Sequence, residues 1–229
     1  MKRYCLYLFI LIGISCSAEL KAQKNGTVYK GNDPAVRYTG RTLVSPDGSV
    51  AFDWVGTYLE TRFTGGKLSV KVSETGTSYY NVFVDGKLHK VVKVCGTDTL
   101  IHLVSGIDKR IHSLKIQKRS EGEFGKTTVH QFVLSGSGRL AEEPAVRTRH
   151  IEFIGNSLTC GYGTDGKHRD EPFLVETENC NLTFASMVAR YYDADYTLIA
   201  HSGRGAARNY GDSCLLYTSP SPRDTERSR

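Results

Sequence analysis

Short runs of alternating apolar and polar residues fill the chain from about residue 27 to residue 138. In one of them, residues 68–72, the sequence Leu-Ser-Val-Lys-Val places its apolar side chains on one face of a strand. Runs of the same kind occupy residues 79–84, 87–94, 99–104, 112–117 and 128–134. Asp85-Gly86 lies between two of them and supplies the positive φ angles of a two-residue hairpin turn. This pattern predicts an antiparallel β-sandwich for residues 23–138.

The pattern changes after residues 139–149, a charged segment that we interpret as a linker. Strands are predicted at residues 150–154 and 196–200, and a helix at residues 182–192 lies between them. The apolar residues that share one face of this helix are Phe184, Met187, Val188 and Tyr191. Strand, helix, strand is the opening of a parallel α/β sheet, so residues 150–213 are predicted to be the first part of an incomplete α/β domain.

Residues 1–22 are typical of a bacterial secretory signal, with a basic start and an apolar run at residues 4–14. That run is shorter than the roughly 20 residues that a membrane-spanning helix needs. With cleavage after Ala22, the sequence predicts a secreted or periplasmic protein without stable membrane insertion. The alternative is an outer-membrane lipoprotein attached through Cys16, although Gly13 stands where a lipobox prefers leucine.

The C-terminal residues 214–229 differ from the rest of the chain. Residues 214–224 resemble a translated sequencing adapter, so we expect a non-native tail and a native sequence that is cut off near Ser213. A natural Ser/Pro-rich tail is the alternative. Leaving out both ends lowers the formal charge from +6 to +3, which does not predict a nucleic-acid partner.

Three cysteines lie between the two ends, at Cys95, Cys160 and Cys180. An odd number without close CxxC spacing argues against a disulfide scaffold or a zinc site, and we predict no metal. Export permits a disulfide between Cys160 and Cys180. Two buried thiols are the alternative, and the sequence leaves both open.

Ser157 follows the strand at residues 150–154, at the edge where open α/β sheets place their sites. Gly155 allows a tight turn, and the N–H group of Ser157, at a predicted helix start, would face the oxyanion formed by attack on an ester. Thr159 stands where the Gly-x-Ser-x-Gly nucleophile elbow has its second glycine. Taken alone, the segment also fits a plain turn with a helix cap.

Longer strings of residues narrow these alternatives. Residues 155–163, Gly-Asn-Ser-Leu-Thr-Cys-Gly-Tyr-Gly, resemble the first conserved block of the SGNH (GDSL-like) hydrolases, and residues 201–212 resemble the second block. Three strings are similar to the N-terminal jelly-roll domain of carbohydrate esterase family 2: residues 38–41, 52–56 and 79–86. The resemblance implies an all-β jelly-roll sandwich followed by the start of a flavodoxin-like α/β SGNH domain with a parallel sheet.

This resemblance implies a serine esterase that removes O-acetyl groups from plant-wall polysaccharides such as xylan and glucomannan, without a metal or an organic cofactor. Ser157 matches the nucleophile, and its N–H group matches one oxyanion donor. A glycine of the second block supplies another N–H donor, with Gly205 as the preferred match and Gly203 as the alternative. The family's oxyanion asparagine and its catalytic histidine with the accompanying aspartate have no match here. We therefore expect the chain as given to be an inactive fragment.

The remaining candidates concern the substrate and the missing base. Trp54 and Arg208 are candidate substrate-binding residues, although an aromatic side chain in a sandwich usually belongs to the core. None of the seven histidines is expected to replace the base: His89, His102, His112, His130, His150, His168 and His201. We expect a monomer that binds acetylated polysaccharide or oligosaccharide. The alternatives are a non-catalytic carbohydrate-binding protein and an SGNH esterase or lipase of other specificity.

Overall fold

The computed structural model describes residues 26–142 and 145–213. The predicted signal segment at residues 1–22, with its cleavage site and Cys16, lies outside the described residues, as does the predicted tail at residues 214–229. Among the helices of the described residues, none is long and apolar enough to cross a membrane.

In the part of the chain that the structure describes, ten strands form one antiparallel sheet. They are β1 (Gly26–Lys30), β2 (Val36–Thr39), β3 (Leu43–Val44), β4 (Val50–Phe52), β5 (Tyr58–Glu74), β6 (Thr77–Val84), β7 (Lys87–Cys95), β8 (Thr99–Lys118), β9 (Thr127–Ser135) and β10 (Arg139–Leu140). Their order is β3-β4-β9-β5-β8-β6-β7, with β1 beside β9 and both β2 and β10 beside β5. The segment predicted as a linker therefore begins inside the sheet, because β10 pairs with Phe63 and Thr64.

Two bent strands, β5 and β8, give the sheet its shape, since they run for 17 and 20 residues. The first half of β5 pairs with β2 and β10, whereas its second half pairs with β9. Between the halves lies Gly66, with a φ of +83° and shifts in the register to β8. Leu59 and Val70, from opposite halves, lie in one core. The two halves thus face each other as the layers of a sandwich do.

The continuity of β8 differs from the prediction of separate strands at residues 99–104 and 112–117. The structure has one strand there, because its pairing with β5 resumes on the far side of the bend. The predicted hairpin turn between β6 and β7 is present. Asp85 and Gly86 have φ angles of +50° and +75°, both positive as that turn requires.

A second, smaller unit begins with β11 (His150–Gly155), which pairs in parallel with β12 (Asp195–Ala200). Between them lie α1 (Ser157–Cys160), α2 (Phe184–Tyr191) and short 3-10 helices at Val175–Thr177 and Cys180–Leu182. The predicted strand, helix, strand order is therefore observed. Gly155 pairs with Ala200, so both strands end at the same edge of the sheet.

The helix α2 buries a different face from the one that its apolar residues predict. Ala185, Ser186 and Ala189 are buried, because small side chains let the helix backbone approach β12 closely. The predicted apolar face points away from this contact: Phe184 is 55% exposed and Tyr191 is 84% exposed. The prediction identified the helix but was wrong about which side packs.

The two units share a core. Val55 and Tyr58 from the antiparallel sheet pack with Tyr196 and Leu198 of β12, and the Tyr58 and Tyr196 rings lie 5.3 Å apart. Gly56, with a φ of +76°, lies against Leu198, and a Cβ there would come 2.6 Å from Leu198 Cδ1. Only glycine permits this close approach, which allows β12 to pack against the sandwich.

Candidate active site

Ser157 is the first residue of α1 and directly follows the Asn156 cap. The Leu158 N–H donates a hydrogen bond of 3.2 Å to Asn156 Oδ1, which ends the strand and starts the helix. A Cβ at Gly155 would overlap the Thr159 side chain. Thr159, which replaces the second glycine of a nucleophile elbow, is thus accommodated by Gly155, and the turn exposes Ser157 at the sheet edge.

The loop after β12 lies at the same edge. Gly203 has a φ of +78°, and a Cβ at Gly205 would overlap the Arg208 carbonyl, so both positions suit glycine. Ser157, Gly203 and Gly205 line one cavity of about 840 Å³. The structure therefore brings together the predicted nucleophile and both glycines that were proposed as the second oxyanion donor.

The two glycines differ in the hydrogen bonds that their backbone groups make. The Gly205 N–H donates to the Asn209 side-chain oxygen over 3.4 Å, a long bond that a stronger acceptor would displace. At Gly203 it is the carbonyl that is bonded, and it accepts a hydrogen bond of 2.8 Å from the Tyr210 N–H. The contacts leave both Gly205 and the alternative Gly203 as candidates for binding an oxyanion.

The two predicted substrate-binding residues lie in adjacent places. Arg208 lines the cavity that contains Ser157. Trp54, from the segment between β4 and β5, lines a neighbouring cavity of about 410 Å³ together with His201 and Gly205. The Arg41 guanidinium lies 5.2 Å from the Trp54 ring centroid. Trp54 is therefore a wall residue beside the loop rather than part of either core cluster.

Five of the seven histidines are hydrogen-bonded to groups other than Ser157 in the described residues. His102, His130 and His150 bond to hydroxyl groups, and His201 Nδ1 donates to the Ser202 carbonyl at 2.8 Å. His112 is buried between Asp85 and Asp108, and the hydrogen bond to Asp85 raises its pKa despite burial. Among the described residues no histidine is hydrogen-bonded to Ser157 Oγ.

A buried acidic cluster, which the sequence analysis missed, lies beneath the site. It consists of Glu121, Cys160 and Glu178, whose side-chain ligand atoms all lie within 4.8 Å of one another. Burial raises the pKa of Glu178 to about 9 and also raises that of the Cys160 thiol. A cation here would require both groups to lose protons that burial retains, so the donor set fits a protonated acid pair better than a metal site.

The two cysteines left open by the sequence, Cys160 and Cys180, are free thiols and are fully buried. Burial raises the pKa of Cys180 to about 12. Both belong to the core that the two units share, together with Tyr58 and Tyr196. They pack as small buried side chains in the contact, where the Cys180 thiol donates to the Lys118 carbonyl at 3.4 Å, and the structure contains no disulfide between them.

Known proteins resemble this chain over both units. Residues 38–144 match the model of the Carbohydrate esterase 2 N-terminal family. The Acetivibrio thermocellus cellulase/esterase CelE is 34% identical over 180 residues, which make up 79% of this chain and 22% of that protein. A Cellvibrio japonicus acetylxylan esterase / glucomannan deacetylase is 32% identical over 191 residues, covering 79% of this chain and 52% of that protein.

A solved structure supports the same relationship. The family two carbohydrate esterase from Clostridium thermocellum, in complex with cellohexaose, is 33% identical with a TM-score of 0.74. The match covers 84% of this chain and 57% of that one. In fold and sequence the chain is similar to carbohydrate esterases, a class of carboxylic ester hydrolase. Residues 38–144 belong to the Carbohydrate esterase 2 N-terminal family, and the chain spans about half or less of the curated relatives that it matches.

Proposed function

We propose that the protein is a serine esterase that removes acetyl groups from polysaccharides and that Ser157 is its nucleophile. The observation that carries this proposal is the meeting of Ser157 with Gly203 and Gly205 at one cavity. The antiparallel unit corresponds in this proposal to the jelly-roll domain of the family. The β11 to β12 unit corresponds to the start of the SGNH hydrolase domain.

The geometry supports attack by Ser157 Oγ on the acetyl carbonyl carbon. The carbonyl oxygen becomes an oxyanion that the Ser157 N–H and a glycine N–H of the loop stabilise. The sugar oxygen then leaves with a proton, and water hydrolyses the acetyl-enzyme to acetate and free Ser157. The base that accepts the Ser157 proton comes, in this proposal, from outside the described residues.

The substrate class is proposed from the relatives and from the cavity. One relative is named as an acetylxylan esterase / glucomannan deacetylase, and the solved relative holds cellohexaose. The cavity beside Ser157 is wide and is bordered by Arg208 and Tyr210, which suits a hydrated sugar chain better than an acyl chain. We therefore propose acetylated xylan or glucomannan as substrate, and a monomeric protein that acts after export.

The test is release of acetate from acetylated xylan. Because the described residues supply no base to Ser157, the 229-residue chain should release acetate no faster than its Ser157→Ala variant. In a form extended to the length of the matched acetylxylan esterase, release should become dependent on Ser157. Glycan binding without any Ser157-dependent release would instead favour the non-catalytic carbohydrate-binding protein. Faster turnover of long-chain esters would favour a lipase.

A further inference from the structure

Glu121 connects the antiparallel sheet to the loop that carries Gly203 and Gly205. It directly precedes a 3-10 helix at Gly122–Phe124, and only 1% of its surface is exposed. One carboxylate oxygen accepts the Ser202 N–H at 2.7 Å, and the other accepts the Ser202 hydroxyl. A single buried carboxylate thus holds both the backbone and the side chain of Ser202.

The same side chain also contacts the helix of the nucleophile. Cys160 comes one turn after Ser157 in α1, and its Sγ lies within 4.8 Å of a Glu121 carboxylate oxygen. Ser202 stands immediately before Gly203 in the cavity wall. Glu121 therefore touches both chain segments that must stay in register for Ser157 and the glycine N–H groups to face one acyl oxygen.

We propose that Glu121 is a positioning residue of the Ser157 site, whose carboxylate holds the Ser202–Gly205 loop where its N–H groups face Ser157. This inference rests on the proposed function, because it assigns the loop a role in ester cleavage. The contribution comes from the antiparallel unit, so that unit takes part in building the site as well as in the fold. Hydrogen bonds to an ionised carboxylate are among the strong ones, which suits such an anchor.

Glu178 holds the backbone of Glu121 in place. Its Oε2 accepts the Glu121 N–H at 2.8 Å, and its Oε1 is buried without a hydrogen-bond partner among the described residues. Burial raises the pKa of Glu178 to about 9, so at neutral pH this carboxyl holds a proton and does not repel the Glu121 carboxylate that binds Ser202. His201 adds a weaker contact, with Nδ1 at 3.7 Å from Glu121 Oε2.

The first test follows the Ser202 amide in the 229-residue chain by NMR hydrogen exchange. In Glu121→Gln, exchange of this amide should rise about tenfold or more, because a charged acceptor is lost. The emission of Trp54, the only tryptophan and a neighbour of the loop, should change with it. Glu123→Gln is the matched control, since Glu123 is 45% exposed and reaches only His201. Unchanged exchange in Glu121→Gln, or an equal rise in Glu123→Gln, overturns the proposal.

The second test is kinetic and uses a form of the protein with Ser157-dependent turnover of acetyl esters. Glu121→Gln should lower kcat about 10- to 100-fold with little change in KM, as displaced catalytic groups do. Ser202→Ala should lower kcat less, because the Ser202 N–H bond remains. The two effects should be non-additive in the double variant if Glu121 acts through Ser202. Additive effects, or a change in KM alone, would contradict the positioning role of Glu121.

The two tests separate the inference from the proposed function. Exchange at Ser202 and the emission of Trp54 do not depend on catalysis, so they report the anchor even where no ester is cleaved. If no form of the protein cleaved esters, the proposed function would be wrong. The exchange measurement would still show whether Glu121 holds Ser202. An intact esterase that tolerates Glu121→Gln with full kcat would remove only the role assigned to Glu121.

Discussion

Replacing Asp195 with alanine is expected to lower the free energy of unfolding by about 3–5 kcal/mol, a range typical of breaking a buried ion pair. Asp195 begins β12 and is buried between Arg37 and Arg147, at 2.9 Å and 2.8 Å. The Tyr58 hydroxyl donates to it at 2.7 Å. Alanine would leave two guanidinium groups in the contact between the units with only Glu60 as a buried acidic partner.

The pKa of Asp195 is consistent with this role. Burial alone would raise it, but the Tyr58 and Arg147 hydrogen bonds and the charges of Arg37 and Arg147 hold it below its ordinary value. Chemical unfolding at neutral pH measures the loss. Asp193→Asn is the control, because Asp193 contacts the same Arg147 at 3.2 Å but is 91% exposed, and asparagine tolerates its positive φ of +47°. It should change stability by about 0.5 kcal/mol or less, and equal losses in both variants would contradict the prediction.

Local patterns in the sequence predicted most of the longer strands and the helix α2, but not β1 to β4 or β10. The hairpin at Asp85-Gly86 follows from two adjacent residues, and the strands follow from a period of two. The continuity of β8 through its bend did not follow, because it depends on pairing with β5, which is distant in sequence. The packed face of α2 was also missed. Helical periodicity marks large apolar residues, whereas contact with β12 selected the small ones, Ala185 and Ala189.

The candidate site also contains both residues that the sequence analysis found and residues that it missed. Ser157 was found because it lies just after a predicted strand, at the edge where parallel strands end. The two glycines were found through the resemblance of residues 201–212 to the second SGNH block. Glu121 and Glu178 were not found, since an acidic residue in a loop is ordinarily exposed. Their burial arises only where the loop after β8 meets α1 and the loop after β12. No pattern within any one of these segments indicates that contact.

The protonated state of Glu178 leads to the other large expected effect, a dependence of stability on pH. Burial is the main cause that raises its pKa from 4.5 to about 9, and the neighbouring Glu121 carboxylate raises it further. The Glu121 N–H and the charge of Lys118 oppose this rise. Between these two pKa values the folded state holds a proton that the unfolded state has released. Stability therefore falls as pH rises through this window, by at most about 1.4 kcal/mol per pH unit.

Glu178→Gln removes this dependence, because the amide does not titrate and its oxygen still accepts the Glu121 N–H. Wild type should lose about 2–4 kcal/mol between pH 5 and pH 8 relative to this variant, measured by chemical unfolding at each pH. The range stops at pH 8 because burial lowers the pKa of Lys115 and of Lys118 to about 8, and their titration follows. Glu176→Gln, a change to an exposed neighbour, should keep the wild-type slope. Parallel slopes for wild type and Glu178→Gln would mean that Glu178 is ionised in the folded protein and would contradict the prediction.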